Sequence, residues 1–151
     1  MPFAVWVSGA DRERVERVAD TIAAHLATRD LAVEVLDSHT PGADALSSRA
    51  VVVLVDALAR HGVATIVALP LPAEDARTTG ARMIEVHVCG GERPGYAPPE
   101  RAEVELEAGA GVERIVGTLE VLGFLPRGVE RAYTEDEERA VIRRLKAFGY
   151  L

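Results

Sequence analysis

Apolar positions follow two rhythms along this chain. Phe3 to Ser8 is almost continuously apolar, which predicts a short buried strand. Directly after it, Val15, Val18, Ala19, Ile22, Ala23 and Leu26 recur at helical spacing, with Arg14, Arg17, Asp20 and Arg29 on the other face. Asp11 is placed to cap that helix. Leu31 to Leu36 reads as a second strand and "DSHTPGADALSS" as a loop. Ala50 to Arg60 contains "VVVLV", which favours a strand by local propensity. It runs on into "DALARHG", however, where Gly62 suits a helix stop. The strands on either side also need a crossover, so the segment is predicted helical.

Val63 to Leu69 and Met83 to Val88 are further strands, with a short helix expected in "PLPAEDARTTG" between them. Ala102 to Leu106 is a weaker strand, and Gly111 to Leu122 a helix that turns Val112, Ile115, Val116 and Leu119 inward. Strands alternating with helices predict a three-layer α/β fold, a mostly parallel sheet with helices on both faces. The expected organisation is a domain over 1–125, a linker over 126–133 and a helical tail over 134–151. In the tail, Thr134 and Glu137 form a capping box, and Val141, Ile142, Leu145 and Phe148 make an apolar stripe. That stripe is expected to dock on this domain or on another protein.

Composition narrows the function. The 151 residues are 48% hydrophobic and 27% charged, as in a globular domain. The net charge of -7, with no basic run, argues against nucleic acid as the main partner. A single cysteine, Cys89, allows no internal disulfide, and no Cys/His spacing suggests a metal site. No apolar run is long enough to span a bilayer and no leader pattern is visible, so the expected location is cytoplasmic.

In parallel α/β sheets, ligands sit at the carboxyl ends of the strands. Those ends carry Gly9, Asp37 to His39, Pro70 to Pro72 and Cys89 to Gly91. Arg12, Arg14 and Arg17 offer either an anion site at a helix start or a solvated face paired with Glu13 and Glu16. Asp37 and His39 offer either an acid–base pair or a polar loop. Cys89 and His87 are adjacent in sequence without an obvious common face. Tyr96 in "GYAPPE" offers a stacking ring or a rigid loop.

Several segments, in order, resemble adenylylsulfate (APS) kinase, which phosphorylates APS to PAPS. They are "VWVSG", "LAVEVLD", "ARHGVATIVALPLP", "RMIEVHV" and "GYAPPERAEVELEAG", and the resemblance covers about residues 3–125. It implies a P-loop-kinase-like fold, with Tyr96 near the adenine end of a nucleotide.

The departures fall on the chemistry. A P-loop reads GxxxxGK(S/T): glycines let backbone N–H groups wrap phosphate, lysine neutralises it and the hydroxyl holds magnesium. Here the stretch is "GADRERVE". Gly9 keeps the first glycine, while Arg14, Val15 and Glu16 stand for the second glycine, the lysine and the hydroxyl. The family's Asp-Gly-Asp is Asp37, Ser38 and His39, and the serine of its Ser-Pro is Leu71. Its basic lid is reduced to "CGGERPG".

The resulting expectation is an APS-kinase-like pseudoenzyme acting in binding or assembly, as a homodimer or with a protein partner, with no catalytic residue, metal or cofactor. Its vestigial cleft would involve Gly9, Arg12, Arg14, Asp37, His39 and Tyr96. Two alternatives stand beside it. One is a working adenylylsulfate kinase using ATP and magnesium with altered nucleotide binding. The other is a sensor of a small anion or sulfonucleotide.

Overall fold

The structure, a computed structural model, describes residues 2–78, 80, 82–126 and 135–150. Strand β1 (Ala4–Gly9) leads into helix α1 (Arg12–Ala27), then β2 (Ala32–Leu36), a 3-10 turn at Ala43–Ala45 and α2 (Ser48–Arg60). β3 (Val63–Val67), α3 (Glu74–Thr78), β4 (Met83–Val88), β5 (Val104–Leu106), α4 (Glu113–Val121) and α5 (Glu135–Ala147) follow.

The five strands form one sheet in the order β2-β3-β1-β4-β5, and every pairing is parallel. Parallel neighbours require crossovers, and the helices supply them on both faces. One face buries Val5, Val7, Ile66, Ile84 and Val86 against Val15, Ile22 and Leu26 of α1 and Ile115 and Leu119 of α4. The other buries Trp6, Val67 and Met83 against Val51 and Val55 of α2 and Ala76 of α3. The three-layer α/β fold expected from sequence is therefore present.

"VVVLV" is indeed helical. Its Val51 and Val55, four residues apart, face the sheet, while Val53 and Leu54 are exposed. Ser47 caps the helix by accepting the Ala50 N–H. Gly62 (φ +79°) ends it, as expected.

The ends of elements shift slightly. β3 stops at Val67: Ala68 makes the last ladder bond, to the Leu36 carbonyl, and the chain then turns through Pro70. β5 keeps only Val104–Leu106 of the longer strand expected. The capping box at Thr134 and most of the expected linker lie outside the described residues.

The tail helix packs on this chain. Val141 and Leu145 bury against Val121 and Leu122 at the end of α4. Arg144 donates to the Ala102 carbonyl at 2.7 Å. Gly149, at φ +85°, donates to Lys146, and Tyr150 donates to Leu145. That pair of bonds is a Schellman turn, which needs a residue tolerant of left-handed backbone at Gly149 and sends Tyr150 back toward the sheet.

Candidate functional site

A cleft of about 540 Å³ opens at the carboxyl ends of β1 and β3. Its walls are Ser8 and Gly9 from β1, Arg12 from α1, Leu69 to Glu74 after β3, and Arg93 to Arg101 after β4. Arg77 of α3 and Glu85 of β4 also line it.

Gly9 is there for close packing. A Cβ at this position would lie 2.8 Å from Val15 Cγ2 and 2.9 Å from the Val88 carbonyl oxygen. Only Ala10 and Asp11 separate β1 from α1. The chain is therefore already helical from Arg12, three residues after Gly9. Asp11 places its own carboxylate at the helix start and accepts the Arg14 N–H at 3.2 Å. Gly91, at φ +80°, lies so close over Asp11 that a Cβ would come within 3.2 Å of the Asp11 side chain. A helix start favours anions because its N–H groups are unpaired; here a carboxylate of the chain takes that position.

The arginines of α1 diverge. Arg12 reaches across β1 and its Nη2 donates to the Ala68 carbonyl at the end of β3. Arg14 turns the other way, donating to the carbonyls of Cys89 at 2.6 Å and Glu107 at 2.8 Å. It clamps the loops after β4 and β5 and is absent from the cleft lining. Both arginines thus spend donors on carbonyls at the strand ends, and Arg12 is in addition attracted by Glu16. Arg17, in contrast, is exposed.

Arg12 meets Arg93. Burial, and then the Arg93 guanidinium, hold Arg12 below the ordinary arginine value. Arg93 also sits over the Tyr96 ring, 5.5 Å from its centre. The Ser8 Oγ and the Tyr96 hydroxyl are both shielded from solvent and face each other. They lie close enough for Ser8 to lower the Tyr96 pKa, but burial wins and pushes the phenol up. Guanidiniums and hydroxyls around one cleft can donate to a small anion with several acceptor oxygens, although Glu74, Glu85 and Glu100 line it too.

Asp37 and His39 do not line this cleft. Asp37 Oδ1 accepts the backbone N–H of His39 at 2.9 Å, a local turn bond. The His39 imidazole points instead to Glu16, with Nε2 3.8 Å from Oε2. The acid–base pair of Asp37 with His39 is therefore replaced by a bridge to α1. Glu16 also accepts the Ser38 N–H at 2.9 Å. Hydrogen bonding to Ser38, from its side chain first and its backbone after, holds the carboxyl below the usual range against the effect of burial.

Cys89 Sγ lies 3.8 Å from His87 Nδ1, nearer than the sequence suggested. Burial, then Glu107 and Glu105, push the thiol up, the opposite of an activated nucleophile. Tyr96 stacks on His87, with ring centres 6.2 Å apart. Among the described residues no group of His, Cys, Asp or Glu is arranged to hold a metal ion, and no helix is long and apolar enough to cross a membrane.

The cleft residues that sequence reasoning missed are Ser8, Arg93, Arg77, Arg101 and Glu85. The signal for Arg93 was present: it is the arginine left in the shortened "CGGERPG" lid. The others converge only through the register of β1 with β4 and the packing of α3.

No protein-family model matches the chain, and no curated protein matches its sequence. Solved structures do match. The hexameric APS kinase from Thiobacillus denitrificans superposes with a TM-score of 0.56 at 18% identity, covering 100% of this chain and 30% of that one. The APS kinase CysC of Mycobacterium tuberculosis gives 0.56 at 16% identity, covering 96% of this chain and 97% of that one. The chain thus spans under a third of the first structure and nearly all of the second. At these identities the likeness is one of fold: the chain has an APS-kinase-like fold.

Proposed function

We propose that this chain is a binding or assembly module on an APS-kinase-like fold, linked to sulfate or nucleotide metabolism and without phosphotransferase activity. One observation carries the reading. Val15, at the position of the P-loop lysine, is fully buried beneath a helix that already starts at Arg12. Its neighbour Glu16, at the position of the magnesium hydroxyl, is spent on Ser38 and His39. Phosphoryl transfer depends on positioned positive charge and metal around the transferred group. These residues do not fit a magnesium–triphosphate.

The working-kinase alternative and the module make opposite predictions for calorimetric titration. With ATP and magnesium, the module gives no saturable heat while remaining folded. Micromolar binding, about -8 kcal/mol, followed by turnover of APS in a kinase assay, would overturn the reading and establish the kinase.

The arginine-lined cleft favours a second, compatible reading: the module senses a small anion or sulfonucleotide. Arg12, Arg93, Ser8 and Tyr96 supply its donors. Titration with APS alone tests it. Saturable binding that is lost in Arg12→Glu supports the sensor, and unchanged affinity in that variant removes it. A homodimer or a protein partner, and a cytoplasmic location, complete the proposal. The exposed Val53 and Leu54 of α2 support an association surface.

A further inference from the structure

The end of the chain reaches the rim of the anion cleft. Arg101, a lining residue, donates through Nη2 to the Phe148 carbonyl at 2.6 Å. Its guanidinium also lies over the Phe148 ring, 5.2 Å from the centre. Arg77, also a lining residue, donates through Nη1 to the Tyr150 hydroxyl at 3.1 Å. Its Nη2 donates to Glu103 at 2.7 Å, to the Arg101 carbonyl at 2.5 Å and to Glu85 at 3.3 Å. The Tyr150 hydroxyl in turn donates to Glu103 Oε1 at 2.5 Å.

The tail therefore presents two oxygens, one carbonyl and one phenol, to two arginines of the cleft. An anion in the cleft calls on the same N–H groups. Arginine donors satisfied by one set of acceptors are not free for another, and breaking a charge-assisted hydrogen bond carries a real cost.

We propose that the α5 tail is an internal competitor for the cleft: docked, it holds Arg101 Nη2 through Phe148 and Arg77 Nη1 through Tyr150, and released, it yields those two N–H groups to a bound anion while Arg77 Nη2 stays on Glu103, Glu85 and the Arg101 carbonyl. The proposal rests on the anion-cleft reading. It makes tail docking and anion binding mutually opposed, and by linkage each weakens the other to the same degree. The Schellman turn at Gly149 sets the competing oxygens in place, since it aims Tyr150 at Glu103. Leu145, buried against Val121 and Leu122, is the anchor that keeps them there.

The test uses the full-length chain and two variants. Leu145→Asp puts a charge into the anchor and releases the tail. Tyr150→Phe keeps the anchor and removes only the phenol oxygen. Phenylglyoxal modification, read by peptide mass spectrometry, reports whether each arginine is free, with no ligand required. Inorganic sulfate, titrated calorimetrically, reports the cleft.

In Leu145→Asp both Arg77 and Arg101 are expected to react faster, and sulfate to bind about tenfold tighter, the equivalent of one charge-assisted hydrogen bond. In Tyr150→Phe only Arg77 is expected to react faster. Unchanged arginine reactivity in both variants overturns the strap, whatever sulfate does. Faster reactivity with sulfate bound equally by all three proteins also overturns it, while leaving the cleft as an anion site. If no protein binds sulfate, the anion-cleft reading falls and the competition falls with it.

Discussion

Glu16 Oε1 accepts the backbone N–H of Ser38 at 2.9 Å, so a side chain from the second turn of α1 holds the loop that follows β2. Hydrogen bonding to Ser38, its side chain first and this backbone bond after, keeps the Glu16 carboxyl ionised below its ordinary range. Glu16 therefore contributes stability above the unfolded carboxylate pKa, and that contribution is lost as pH falls through the lower folded-state value. Glu16→Ala is expected to cost about 1 kcal/mol at pH 7. Urea unfolding at pH 7 and at pH 3 checks this, the difference between variant and parent shrinking at the lower pH.

Glu85 has the opposite sign. Burial pushes its carboxyl up, and the opposing pull of Arg77 does not cancel it. Its proton is bound more tightly in the folded state, so the associated stability is present below the unfolded carboxylate pKa and lost as pH rises through the folded value. Glu85→Gln, which mimics the protonated form, is expected to be at least as stable as the parent at pH 7. The same variant is expected to show no advantage at pH 4. Thermal melts across that range decide it.

Gly9 tolerates no side chain. Its Cβ would press on the Val88 carbonyl, which is backbone and cannot rotate away. Gly9→Ala is expected to cost about 1–3 kcal/mol by overpacking. Denaturant titration reads the loss, and a value within about 0.5 kcal/mol of the parent would contradict the packing.

Restoring a P-loop lysine is expected to fail. Val15 is fully buried against the sheet, so Val15→Lys puts an ammonium into the core. The expected outcome is a lower melting temperature with no gain of ATP binding. ATP binding in this variant would show that the loop, rather than the residue, had been misjudged.

Arg14→Ala removes two hydrogen bonds that hold the Cys89 and Glu107 carbonyls. Amide exchange is expected to rise in residues 89–95 and 107–110, with little change in β1 or β3. A uniform rise over the whole sheet would instead mean global destabilisation.

Much of this fold was legible in the sequence because its signals agreed locally. In α2, the stop at Gly62 and the need for a crossover outweighed the β propensity of "VVVLV", and Val51 and Val55 do face the sheet. The cleft was only partly legible. Gly9 was read from its strand end, Arg12 from its helix start and Tyr96 from the resemblance, and all three line the cleft. Arg14 and His39 were expected in the cleft and do not line it, and their partners were not legible. Arg14 binds carbonyls 75 and 93 residues away, and His39 faces a glutamate on the preceding helix. Hydrogen bonds to backbone carbonyls leave no trace in residue type. The docking of the tail was open for a related reason. Its apolar stripe specifies that something must cover it, whereas Arg101, Arg144 and Tyr150 determine what does.

The strand order has a consequence for the birth of the chain. β1 is synthesised first, yet its neighbours in the sheet are β3 and β4. α1 follows at once and can shield Val5 and Val7, but the Trp6 side waits for α2 and for the strands that flank it. At ribosomal speed that wait is on the order of several seconds. Throughout it, "AVWVSG" is an apolar, unpaired strand of the kind that seeds aggregation. Newly made chains should therefore depend on holding chaperones until β4 has emerged, because the strand best hidden in the finished protein is the one its synthesis leaves longest without neighbours.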